Sequence, residues 1–105
     1  MNSERLDRLT DLLRERGDDP FLRYAQLLEF IRMERTEDAH TALDAMLLLF
    51  PEYLGTFYTA GRFLQAQQQP EKAADLYRRG LALARRQGEH KTAAELQSAL
   101  DLMES

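Results

Sequence analysis

Large apolar residues recur along this chain at spacings of three and four, the period of a helix with one buried face. Leu6, Leu9 and Leu13 mark such a face near the start, and Ala93, Leu96 and Leu100 mark another near the end, with charges covering the other sides. No segment alternates apolar and polar residues as a half-buried strand does. Valine and tryptophan are absent and Ile31 is the only isoleucine, so strand formers scarcely occur. The breaks between periodic runs carry helix punctuation. Asp18-Asp19 precede Pro20, an N-cap signal with proline in the first turn. Thr36 stands as an N-cap before Glu37 and Asp38, whose charges suit a helix N-terminus. Pro51 closes the run ALDAMLLLF, Pro70 opens PEKAADLYRRGLALARR, and Gly17 and Gly88 are candidate helix stops. The pattern predicts six helices, at about 3–16, 20–33, 37–49, 53–67, 70–86 and 89–103. Their short connections make neighbours antiparallel.

The stretch FYTAGRFLQAQQQPEKAADLYRRGLALARR, residues 57–86, places Gly61 and Gly80 inside helices, where each costs roughly 0.5–1 kcal/mol. Sliding the chain along itself until Phe30 meets Leu64 also aligns Ala39 with Ala73, Leu43 with Tyr77 and Met46 with Gly80. A helix-turn-helix unit repeating at about 34 residues is the tetratricopeptide period. On these residues the chain resembles tetratricopeptide repeat (TPR) proteins, small bacterial ones in particular. In that frame Gly61, Ala73 and Gly80 let paired helices approach closely, while Phe57, Leu64 and Tyr77 fill the space between them. The first copy matches at Phe30, Ala39, Leu43 and Pro51 but departs at two places. Leu27 stands where the second copy has Gly61, and Arg23 where it has Phe57. Leu27 is expected to spread its helix pair unless that helix is shifted by one residue.

The resemblance implies an all-α fold, an α-α superhelix or TPR-like solenoid of six antiparallel helices forming a single domain over 1–105. Its parts are a leading helix (3–16), repeat one (about 20–53), repeat two (about 54–87) and a capping helix (89–103). Two repeats alone bury too little against neighbours, so the flanking helices are expected to act as caps.

Composition narrows the function. Fourteen basic against eighteen acidic residues give a net charge of −4, which does not favour nucleic-acid or anionic-membrane binding. There is no cysteine, which fits a reducing, cytoplasmic setting. The N-terminus lacks the apolar core of a signal peptide, and the run Ala45–Phe50 is far shorter than a membrane span. His40 and His90 lie far apart in the chain without metal-ligand spacing. No nucleophile elbow or phosphate loop is present. Acidic pairs sit where capping accounts for them. The expectation is no catalytic residue, no metal and no cofactor. Arg78, Arg79, Arg85 and Arg86 share one helical flank that reads as a solvated outer face, with a phosphate-binding surface as the alternative.

TPR proteins line a concave groove with the first helix of each repeat, and the groove binds a peptide of another protein. Carried over, the frame assigns Tyr58, Arg62 and Gln65 to the groove from repeat two. Repeat one supplies Phe21, Tyr24, Leu28 and Ile31, unless these pack against the leading helix or the repeat's own second helix, with Arg32 available beside Arg62 for a carboxylate. Tyr24 and Tyr58 correspond across the period and are expected to be neighbours along it. The lysine and asparagine clamp of chaperone-binding domains is missing, since those slots hold Tyr24, Leu28, Thr59, Glu89 and Ala93. The resulting reading is a non-catalytic interaction module for a protein or peptide. Self-association into a homo-oligomer is the alternative, and nucleic-acid binding through the arginine flank a third.

Overall fold

Ser3 caps the first helix: its Oγ accepts the Leu6 N–H at 3.0 Å, satisfying an amide that has no partner inside the helix. The computed structural model describes residues 3–104. Six helices follow in order, α1 (Glu4–Glu15), α2 (Pro20–Arg32), α3 (Thr36–Leu49), α4 (Gly55–Ala66), α5 (Pro70–Gln87) and α6 (His90–Glu104). The described residues contain no strand. The expected all-α helical repeat is observed, with helix ends displaced by a residue or two.

Asp19 caps α2 as the sequence predicts. Its Oδ1 accepts from the Phe21 N–H at 2.9 Å, and Pro20 occupies the first turn. Thr36 does not cap α3. It lies inside that helix, and the capping position belongs to Arg35. The reason lies in how α2 closes. The Arg35 N–H is drawn to the Phe30 carbonyl at 2.9 Å, so the chain has already turned one residue before Thr36. Arg35 then pairs with Asp38 across the first turn of α3. Gly17 directly follows the cap of α1, Arg16, but without the left-handed backbone that Gly88 has after α5.

The closure of α2 recurs. Glu34 has a left-handed backbone (φ 58°), and so does its counterpart in the second repeat, Gln68 (φ 60°). In each case the next amide reaches back five positions, Arg35 to Phe30 and Gln69 to Leu64, both at 2.9 Å. The left-handed residue's own amide bonds three positions back. This is the Schellman closure. Gly88 (φ 72°) ends α5 the same way, with the Glu89 N–H on the Ala84 carbonyl at 2.8 Å.

The chain divides into two compact units, one through Tyr53 and one from Leu54. In the first, α2 packs against α1 and α3; in the second, α5 packs against α4 and α6. The second unit has Tyr77, Leu81, Ala84, Leu96 and Leu100 at its centre. Gly61 lies under the Tyr77 ring, where an added Cβ would stand 2.5 Å from Cδ1. Gly80 lies under Phe57 and Leu96, with 3.1 Å to Phe57 Cγ from the same hypothetical atom. Only glycine permits both approaches. In the first unit the pair equivalent to Gly61 and Tyr77 is Leu27 and Leu43, both buried. Two side chains of medium size replace a small one and a large one. Arg23, at the counterpart of Phe57, turns to the α1–α2 connection, where its Nε donates to the Gly17 carbonyl at 2.7 Å.

Candidate functional site

α4 buries Phe57, Ala60, Gly61 and Leu64. Residues 58, 62 and 65 then fall together on another face, four and three positions apart. On α6 the buried residues are Leu96 and Leu100, which turns 91, 94, 95, 98 and 102 to a different side. The two faces border a cleft of about 570 Å³. Tyr58, Arg62 and Gln65 line it from α4, Tyr77 from α5, and Lys91, Ala94, Glu95, Ser98, Ala99 and Leu102 from α6.

Contacts within the unit hold this wall in place. The Tyr58 ring lies 6.1 Å from the Tyr77 ring at 45°, and the Arg62 guanidinium lies 6.0 Å from the Tyr58 ring. The Tyr77 hydroxyl donates to Gln65 Oε1 at 2.5 Å. Burial, then the nearby Tyr58, push the Tyr77 phenol above its ordinary pKa, with the Arg62 charge opposing. Tyr77 thus remains a neutral donor near pH 7, and Gln65 is fixed with its amide N–H groups unspent.

In the first unit the predicted groove residues lie along α2. Phe21 is 64% exposed and Leu28 42%, while Tyr24 and Ile31 are half-buried. Within the first unit Tyr24 lies against the Tyr53 ring, with centroids 5.3 Å apart. Tyr53 was not among the predicted site residues. Burial, followed by Tyr24 and Asp19, raises its pKa.

Arg32 holds a carboxylate, but one of this chain. Its Nε donates to both Glu29 oxygens, at 3.0 and 3.2 Å, and its NH2 group is also in contact with Oε1. Glu29 is buried and also accepts the Ser3 hydroxyl at 2.9 Å. The Arg32 bonds foremost, then Ser3 and the charges of Arg32 and Arg5, hold its carboxyl below the ordinary value against the opposing effect of burial. In the repeat frame Glu29 corresponds to Phe63, so a polar link from α2 to the cap of α1 occupies a position that is apolar in the second unit.

Of the arginine flank, Arg79 lies over Phe57, 5.6 Å from its ring, and Arg78 borders a smaller pocket between α5 and α6 beside Glu71 and Glu104. His90 is exposed and His40 half-buried. Among the described residues no group of three His, Cys, Asp or Glu side chains could hold a metal ion. None of the described helices is long and apolar enough to cross a membrane.

No family model and no curated protein sequence matches the chain. Solved structures do. The solution structure of a tetratricopeptide repeat domain protein from Salinibacter ruber is 31% identical with a TM-score of 0.78, over 82% of this chain and 87% of that one. A crystal structure of a tetratricopeptide repeat domain protein from the same organism gives 31% and 0.77, over 83% and 98%. A protein from Bordetella parapertussis, solved in solution, is 27% identical with a TM-score of 0.82, over 98% and 89%.

Proposed function

This chain belongs to the tetratricopeptide repeat family, and from that premise we propose that it is a non-catalytic interaction module whose second unit binds a peptide segment of a partner in the α4–α6 cleft. The observation that carries the reading is the convergence of Tyr58, Arg62 and Gln65 on one cleft with Tyr77. Tyrosine and arginine dominate interface energies because they bury large areas with few rotatable bonds. Here two rings, a guanidinium and an amide are braced by one another, so a ligand meets a surface already ordered. TPR-like folds are in general interaction modules, which is the basis for the non-catalytic assignment.

The test is affinity capture from the host's lysate with the wild type beside a Tyr58→Ala, Arg62→Ala variant whose helicity is checked by circular dichroism. A protein held by the wild type and released by the folded variant supports the cleft. Retention of the same proteins by both would sink it. Self-association is the second reading, because Leu48 and Leu49 at the end of α3 are 80% and 51% exposed, adjacent apolar residues of the kind found at subunit contacts. Light scattering that shows a monomer at all concentrations removes it.

A further inference from the structure

Resting on that reading, we infer that the occupant of the α4–α6 cleft is an acidic segment, a stretch of partner chain in which carboxylates flank an aromatic or aliphatic side chain. Three observations point to it. The first is where the charge lies. Residues 1–53 hold seven basic and twelve acidic side chains, a net −5, whereas residues 54–105 hold seven basic and six acidic, a net +1. The cleft belongs to the half of an acidic protein that is not acidic.

The second is the state of the cations. In the first unit three of the seven basic side chains, Arg14, Arg32 and Arg35, are paired with acids of the chain itself. On the cleft, Arg62 from α4 and Lys91 from α6 take part in none of the ion pairs found among the described residues. Glu95 is the one acid on its lining and stands one helical turn from Lys91, yet the two are not bridged. Neither charge is matched by an acid of the chain, and the Tyr58 ring holds Arg62 where a ligand's charge can meet it.

The third is the balance of hydrogen-bonding groups. Arg62 offers five N–H donors and Lys91 three. Gln65 adds its amide N–H groups, because its carbonyl oxygen already accepts from Tyr77. Donors therefore outnumber acceptors on the walls, and acceptor-only groups, carboxylates above all, match them. The remaining lining is small or apolar, with Ala94, Ala99 and the 76% exposed Leu102, a complement for the aliphatic or aromatic side chain between the acids.

The probe is a fluorescein-labelled peptide, acetyl-Ser-Asp-Glu-Phe-Leu-Asp-Glu-Ser-amide, beside its isostere with Asn and Gln for Asp and Glu. Binding is followed by anisotropy and mapped by amide chemical shifts. The acidic peptide should bind at least about fivefold tighter than the isostere, from the added strength of charge-assisted bonds, and weaken with salt. Shifts should centre on Tyr58, Ala94 and Ser98. Arg62→Gln and Lys91→Gln should each cost about threefold to tenfold. Equal binding of both peptides in the cleft overturns the acidic preference and leaves the groove reading standing. No shift in the cleft from either peptide overturns both. Shifts there that grow with protein concentration and no peptide make a second copy the occupant, which also overturns the inference.

Discussion

Replacing Gly61 by alanine adds one methyl group, and two effects of known size oppose each other. Alanine improves helix propensity by roughly 0.5–1 kcal/mol. Against that, its Cβ would stand 2.5 Å from Tyr77 Cδ1 and Cζ, far inside contact distance, and the ring has little freedom to retreat. Tyr77 is 1% exposed, its hydroxyl is bonded to Gln65, and Tyr58 flanks its ring. Overpacking costs about 1–3 kcal/mol, and contacts this short against a held ring place it at about 2–3 kcal/mol. The net expectation for Gly61→Ala is a loss of about 1–2 kcal/mol, read from urea unfolding by far-ultraviolet circular dichroism and tyrosine fluorescence in parallel. The first unit suggests the control, since its equivalent pair is Leu27 and Leu43. Tyr77→Leu alone should cost about 2–4 kcal/mol, as truncations of large core side chains do. Combined with Gly61→Ala, it should cost less than the sum of the two by about 1 kcal/mol, because the ring that suffers the clash is gone. A Gly61→Ala variant as stable as wild type, or a strictly additive double mutant, refutes the claim that glycine is there for the tyrosine.

Glu34→Gly and Gln68→Gly should each stabilise the protein by about 0.5–1 kcal/mol in the same urea titration, since both positions hold left-handed backbone that disfavours side chains; a loss at either would contradict the assignment. Thr56 is 1% exposed and its hydroxyl has no partner among the described residues, so Thr56→Val should raise stability by about 1 kcal/mol, checked by the shift in thermal midpoint. Glu29 is held below its ordinary value of 4.5. Its stabilising effect is therefore fully present above that pH and is lost as pH falls through the lower folded value. Urea midpoints taken across the acid range should fall more steeply for wild type than for Glu29→Gln, and parallel curves would count against the link from α1 to α2.

The repeat was legible because close backbone approach selects residue size: Gly61, Ala73 and Gly80 are small at the places where helices must touch, and Tyr77 is large where the gap must be filled. The α4 side of the cleft followed from that frame by helical spacing alone. The α6 side did not. No residue of the last helix was among the expected groove residues, and Lys91, Ser98 and Leu102 line the cleft from it. The spacing of Leu96 and Leu100 held the signal, since the opposite side of that helix had to face elsewhere. Thr36 was misread because the turn before α3 is closed by backbone bonds, which leave no mark in side-chain chemistry. Glu34 and Gln68 were hidden for the same reason, being neither glycine nor asparagine. Only their matching places in the two repeats hinted at a shared role. Glu29 reads on the sequence as one more surface acid. Its burial becomes intelligible only beside Ser3 and Arg32.

Both units are held by apolar packing, but the first adds ion pairs and side-chain caps to it, and temperature separates such forces. The ion pairs Arg14–Asp11, Arg32–Glu29 and Arg35–Asp38, and the side-chain caps at Ser3 and Asp19, all lie in the first unit. The second is built around close apolar packing of Tyr77, Leu81, Leu96 and Leu100, and its helices α4 and α5 begin without side-chain caps. On warming, apolar stabilisation levels off, whereas the desolvation penalty of ion pairs eases. Warmed toward its midpoint, the chain should therefore loosen first around α5, in the unit that carries the cleft, while α1 and α2 stay joined through Glu29.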